Sequence, residues 1–268
     1  MKRGWFLPIA AIAGFLFLYA PIISLVVLSF NESRLVTVWS GFSTKWYGEL
    51  LNDRQLLGAA GRSLQISAIS ATIALVLGTL CAISLVRFRR FRGRTLLEAT
   101  VAAPLVMPDV ITGLALLLLF IGMEALVGWP AGRSMLTIVL AHSTFCMAYV
   151  TVVVRSRLTE LDLSLEEAAM DLGATPIRVF FDITLPIIAP ALISGWLLAF
   201  TLSLDDVVIA TFVSGPGSAT LPMEIFAKVK LGVSPDVNAL ATIIIGFVAA
   251  GVFIATLLQL RRPRTSAA

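Results

Sequence analysis

Three carboxylates stand inside apolar runs where a charge is costly: Asp109, Asp205 and Asp206. An Asp at the centre of a membrane-crossing helix costs roughly 2.5–3.5 kcal/mol on the insertion scale, so it should face a cavity or a partner. Two kinds of chemistry use such groups. Carboxylates along a path can hold a cation that has shed its water. A pair on separate spans can instead divide acid and base roles, as peptide hydrolysis requires. The second reading is disfavoured, because neither Asp109 nor Asp205 follows a Gly-x-Gly sequence. Each acid also has a structural reading. Asp109 follows Pro108 and can serve as an N-cap for Val110–Ile121. Adjacent helical residues point about 100° apart, so Asp205 and Asp206 share a pore only if the helix breaks there. One of them then caps a helix break or binds a neighbouring backbone. His142, between Ala141 and Ser143, reads as a helix–helix hydrogen bond rather than a ligand. Cys81 and Cys146 lie in apolar runs and suggest neither a disulfide nor a zinc site. None of the four lysines follows a glycine, so the phosphate-cradling Gly-Lys-Ser/Thr loop is missing and ATP chemistry must come from elsewhere.

The elements that position these residues follow from composition. Of 268 residues, 58% are apolar before glycine is counted, against roughly 45–50% with glycine in a soluble domain. Only 13% are charged, about half the soluble norm of roughly 25%. An ordinary soluble enzyme, a disordered chain and a secreted mini-protein are excluded. The charge-free stretches are long enough to cross a hydrocarbon core of about 30 Å. They predict an all-α membrane protein with six spans at about 6–30, 63–86, 101–121, 134–154, 189–213 and 237–260. The first reads as an uncleaved anchor, since its apolar run is long and no small-x-small site follows. Asp109 then lies roughly 12 Å into its span from the cytoplasmic face, and Asp205 and Asp206 roughly 24 Å, giving acids at two depths.

Basic residues set the orientation. With six spans, thirteen of the 20 fall on the side of both termini: Lys2, Arg3, the cluster Arg87, Arg89, Arg90, Arg92 and Arg94, then Arg155, Arg157, Arg178, Arg261, Arg262 and Arg264. That side is expected to be cytoplasmic. The net charge of +4 is therefore a topology signal, and nucleic acid is not an expected partner. In the outer loop 31–62, Trp39, Trp46 and Tyr47 fit an interfacial aromatic belt. In the outer loop 214–236, Ser234-Pro235 reads as a cap and first turn for the last span.

The cytoplasmic segment 155–188 is the most specific. Ser164-Leu165-Glu166-Glu167 reads as a capping box, and Gly173 as the left-handed stop of a short helix. Thr175-Pro176 opens a second helix with Ile177, Phe180, Phe181 and Ile183 on an apolar face, ended by Leu185-Pro186. Such a knob either lies in the headgroups or docks a soluble partner. The run Glu167-Ala168-Ala169, x3, Gly173, x9, Ile183, x, Leu185-Pro186 resembles the EAA loop of binding-protein-dependent ABC import permeases. The segments Ala103–Gly113, Ser203–Asp206 and Val229–Ala241 look like those of polyamine permeases, putrescine systems above all.

The resemblance implies a type I importer fold acting as a single permease domain over 1–268, with no catalysis of its own. It implies a multi-pass place in a bacterial inner membrane. It also implies a second homologous permease, two copies of an ATPase that hold ATP and Mg, and a periplasmic polyamine-binding protein. Glu167, Ala168, Ala169, Gly173, Ile183, Leu185 and Pro186 become the ATPase-coupling residues. Asp109, Asp205 and Asp206 become a substrate path, because a polyamine needs carboxylates and aromatic faces where it loses water. The alternative readings are an importer permease for spermidine or another cationic solute, and a secondary transporter, which would need neither the loop nor an ATPase.

Overall fold

The computed structural model describes residues 6–34, 38–88, 90–231 and 235–260. The expectations for Lys2, Arg3, 35–37, Arg89, Ser234, Arg261, Arg262 and Arg264 lie outside these residues. The described chain is helical apart from turns and one isolated bridge, Asn31 with Phe42. It forms two compact units, one from the residues up to Leu57 and from Ile225 onward, the other from Gly58–Glu224.

The first unit holds α1 (Phe6–Leu28), α2 (Lys45–Asn52) and α12 (Pro235–Leu260), with α12 packed on both others. Residues 6–24 of α1 are all exposed, although nearly all are apolar. Such a surface is stable against lipid tails and not against water. Asn31 is buried, its amide nitrogen donating to the Val38 carbonyl at 2.8 Å and its carbonyl oxygen accepting from the Ser40 amide at 3.0 Å. Trp46, expected in an interfacial belt, is instead buried, its indole N–H donating to the Asn31 backbone carbonyl at 2.6 Å. Trp39 is exposed. Lys228, in α11 (Leu221–Leu231), donates to Asp53 at 2.9 Å and Asp236 at 2.7 Å. The Leu56 amide, then Lys228, hold the Asp53 carboxyl below the usual carboxylate range. Burial opposes the charge on Lys228, but its two carboxylates outweigh that and raise its pKa.

The second unit is built around α6 (Met135–Glu160), which is buried on most sides. Its sequence shows little amphipathic pattern because neighbours surround it. The neighbours are the long α3 (Arg54–Arg87), α4 (Arg94–Val106), α9 (Leu185–Asp205) and the short α10 (Val208–Val213), with α5 (Asp109–Val127) packed on α10. Small residues permit the close crossings. A Cβ on Gly78 of α3 would stand 2.8 Å from the Val150 side chain of α6. The Cys146 thiol donates to the Ala199 carbonyl across the α6–α9 contact at 3.4 Å.

Two expected spans are corrected. The third, 101–121, is two helices, because Pro108 drives Met107 into an extended conformation and ends α4. The fifth, 189–213, breaks at Asp206 between α9 and α10. Among the described residues, five helices, Phe6–Leu28, Arg54–Arg87, Asp109–Val127, Met135–Glu160 and Pro176–Asp205, are long and apolar enough to cross a membrane, and α12 covers the remaining expected run.

After α10 the turn at Gly215–Ser218 presses on the start of α6. Gly215 is so close that a Cβ there would lie 1.8 Å from the Arg133 carbonyl oxygen. Gly217 has φ +74 and open space around its Cβ position. Gly215→Ala is therefore expected to destabilise by about 1–3 kcal/mol through overpacking against backbone. Gly217→Ala should cost about 1 kcal/mol through conformation alone. Thermal unfolding of the two variants in detergent checks the order, and an equal or reversed order contradicts the packing.

Candidate functional site

The break in the fifth span creates the site. Asp205 is the last residue of α9, and Asp206 turns extended at φ −66, ψ 128. The Asp206 carboxylate then accepts the Ala210 amide at 2.7 Å and the Ile209 amide at 3.3 Å, so it caps α10 across the gap. A third bond comes from His142 Nε2 at 3.2 Å, while His142 Nδ1 meets the Ser203 hydroxyl at 2.7 Å. A carboxylate accepts only, so Nε2 donates to Asp206, and in the neutral ring Nδ1 then accepts from Ser203. His142 is thus the helix–helix hydrogen bond expected of it, and it fixes Asp206 as well.

Asp109 reaches the same place from α5. It is the first helical residue, not the cap, a position that Pro108 occupies without a side-chain bond. Its charge still suits the positive end of the helix dipole. Gly113, one turn on, lets α10 approach: a Cβ there would fall 2.7 Å from the Phe212 ring and 3.3 Å from the Ile209 Cα.

Asp109, Asp205 and Asp206 line one cavity of about 420 Å³. Phe145 and Tyr149 of α6 line it too, with Leu202 and 207–209. The acids expected at two depths thus share one cavity, and Asp109 opens a fresh helix after Pro108 rather than standing inside an unbroken span. Three acidic groups and two aromatic rings in an otherwise apolar cavity can accept hydrogen bonds from ammonium groups and offer them ring faces.

The knob expected on the cytoplasmic side is the second predicted site. Here α7 (Leu163–Asp171) leads to α8 (Pro176–Val179), a π turn at Phe180–Thr184, and α9. Gly173 sits at φ +88, with its amide on the Met170 carbonyl at 2.9 Å and the Ala174 amide on Ala169 at 3.1 Å. That is a Schellman stop, as the glycine predicts. Glu167 and Ala168 are exposed, Ala169, Ile183 and Leu185 half-buried, and Pro186 exposed. Leu172 and Ile177 are 90% and 73% exposed, giving the knob an uncovered greasy side.

Two expectations in the knob are corrected. Asp162, not Ser164, caps α7, its carboxylate accepting the Ser164 amide at 3.0 Å. Leu185-Pro186 ends nothing. The Leu185 amide bonds five residues back to the Phe180 carbonyl, and this widened π turn accommodates Pro186 inside a continuous helical run, 176–205. One residue escapes any spacing argument. Glu166 forms an ion pair with Arg87 at the end of α3, and accepts from Thr184 at 2.6 Å. Opposite charges in two segments 79 residues apart are the only signal that the sequence offers.

Known proteins resemble this chain in both sequence and fold. Residues 74–264 match the family described as binding-protein-dependent transport system inner membrane component. The putrescine transport system permease protein PotI of Escherichia coli K12 is 64% identical over 248 residues, 92% of this chain and 88% of that one. The spermidine/putrescine transport system permease protein PotC of the same strain is 43% identical, covering 91% and 89%. A chain of a bacterial ABC transporter that imports the acidic polysaccharide alginate superposes with TM-score 0.74, at 19% identity and 98% coverage of both chains. A chain of an amino acid ABC transporter gives 0.54, at 19% identity, over 80% of this chain and 96% of that chain. The helical architecture is that of type I ABC importer permeases. With the family matched over most of its length, the chain belongs to the binding-protein-dependent transport system inner membrane components.

Proposed function

We propose that this chain is a translocation subunit of an ATP-driven polyamine importer, with putrescine as its substrate. It works as one permease domain over 1–268, beside a second homologous permease. A periplasmic polyamine-binding protein delivers the substrate, and two copies of an ATPase hold the ATP and Mg. The observation that carries the substrate reading is the cavity where Asp109, Asp205 and Asp206 converge with Phe145 and Tyr149. The names of the relatives, putrescine for one and spermidine with putrescine for another, point the same way.

The proposed path combines charge with apolar surface. A diamine ammonium leaving the binding protein loses water, and the cavity carboxylates replace those hydrogen bonds. The apolar walls and rings accommodate the methylene chain between its ammonium groups. The knob at Glu167, Ala168, Ala169 and Gly173, with Ile183, Leu185 and Pro186 behind it, seats in the ATPase and links hydrolysis to opening.

Competition in the reconstituted importer tests the substrate. Unlabelled putrescine should suppress uptake of labelled putrescine at lower concentration than spermidine does, and a neutral diol of equal length should not compete. Stronger suppression by spermidine would make spermidine the substrate. Suppression by the diol would remove the carboxylates from recognition.

A further inference from the structure

The nine residues of α7 include no buried one, so apolar packing does not hold this helix to the body of the protein. Its polar attachment is Glu166. A single carboxylate oxygen, Oε1, takes both the Arg87 guanidinium and the Thr184 hydroxyl, the latter at 2.6 Å. The three residues come from three elements: the last residue of α3, the middle of α7 and the end of the π turn that feeds α9. Thr184 is buried, and the Arg87 and Glu166 side chains are only 20% and 15% exposed. A charge-assisted bond with so little water around it is short and directional.

We propose that Arg87, Glu166 and Thr184 form the clamp that carries displacement of α7 into α3 and α9, making Glu166 a positioning residue for coupled transport. The inference rests on α7 being the ATPase-docking helix. The geometry supports it in both directions. Through Thr184 the clamp grips the residue that precedes α9, and α9 runs without a break from there to Asp205 in the cavity. Through Arg87 it grips α3, which packs on α6 at Gly78. Helices transmit displacement along their axes, while the π turn beside Thr184 is the part of the run able to adjust. Glu167, one position on, points outward for the partner. The adjacent acids thus divide the work: one faces the ATPase and the other faces the permease.

The test uses the full importer in proteoliposomes, with labelled putrescine as probe and transport per ATP hydrolysed as readout. Glu166→Gln keeps the acceptor for Thr184 and removes the charge; Arg87→Met removes its partner. Each is expected to lower the transport-to-hydrolysis ratio about tenfold, with the ATPase still co-purifying at ordinary yield. The exchange Arg87→Glu with Glu166→Arg should recover the ratio to within about threefold, which a merely structural defect would not do. An unchanged ratio in both single variants overturns the clamp. So does a fall that only tracks loss of ATPase from the complex. Gly173→Val, measured in parallel, separates the levels. If it uncouples while Glu166→Gln does not, the clamp alone is wrong. If neither uncouples, the docking role of α7 is wrong.

Discussion

Replacing Asp205 or Asp109 by asparagine is expected to lower polyamine uptake by about ten- to hundredfold, with the importer still assembled. Asparagine keeps the shape of the side chain and part of its hydrogen bonding. It loses the charge that makes a bond to an ammonium group roughly twice as strong as a neutral one. Both acids line the cavity, and neither caps a helix through its side chain: Asp109 is a first-turn residue and Asp205 ends α9. Asp206→Asn is a different experiment. That carboxylate also holds two α10 amides and His142, so the variant should lose folded protein as well as transport. Uptake kinetics of the two single variants, beside the yield of assembled complex, check the expectation. Wild-type uptake in both would leave Asp109 and Asp205 as helix-end residues with no part in the path.

The next largest effect is expected at Gly173. Valine there should leave the protein inserted and assembled while abolishing substrate-stimulated hydrolysis and uptake. The cost is conformational. Gly173 is left-handed at φ +88, and a Cβ there would meet nothing within 4 Å, so no clash enters. A side chain in the left-handed region costs roughly 1–2 kcal/mol, and a β-branched one is a worse fit still. That energy is too small to unfold helices held by lipid and by α6, but the Schellman stop has no other support. The chain after α7 would leave at a different angle, and the exposed Leu172 and Ile177 would turn with it. Insertion, ATPase association and uptake measured side by side check this. Normal uptake by Gly173→Val would return the knob to the headgroups and remove it from coupling.

What the sequence shows and what it hides divide along chain distance. Gly173 as a left-handed stop, and Pro176 and Pro235 as first helical residues, depend on a few neighbouring residues and are readable there. The apolar runs are readable for the same reason, since lipid imposes the same requirement on each. Breaks inside them are not. Pro104 and Pro190 lie within helices, Pro186 within a helical run widened by a π turn, and Pro108 at a full break, so proline alone does not fix the outcome. The capping position of α7 is not fixed locally, because Asp162 and Ser164 both have a capping side chain and local preference does not choose between them. The cavity itself was illegible. Asp109 meets Asp205 and Asp206 only because Gly113 lets α5 and α10 touch, and no spacing rule connects residues nearly a hundred positions apart. The pairing of Arg87 with Glu166, 79 residues away, is hidden in the same manner.

Accumulation of labelled putrescine by proteoliposomes carrying this permease, its partner permease, the ATPase and the binding protein is the most direct test of the central claim. Uptake should require ATP and the binding protein together, run against the putrescine gradient, and stop when the ATPase is omitted. Omitting an ion gradient should leave it unchanged. Uptake that persists without the ATPase and follows a proton or sodium gradient would contradict the account and make the chain a secondary transporter.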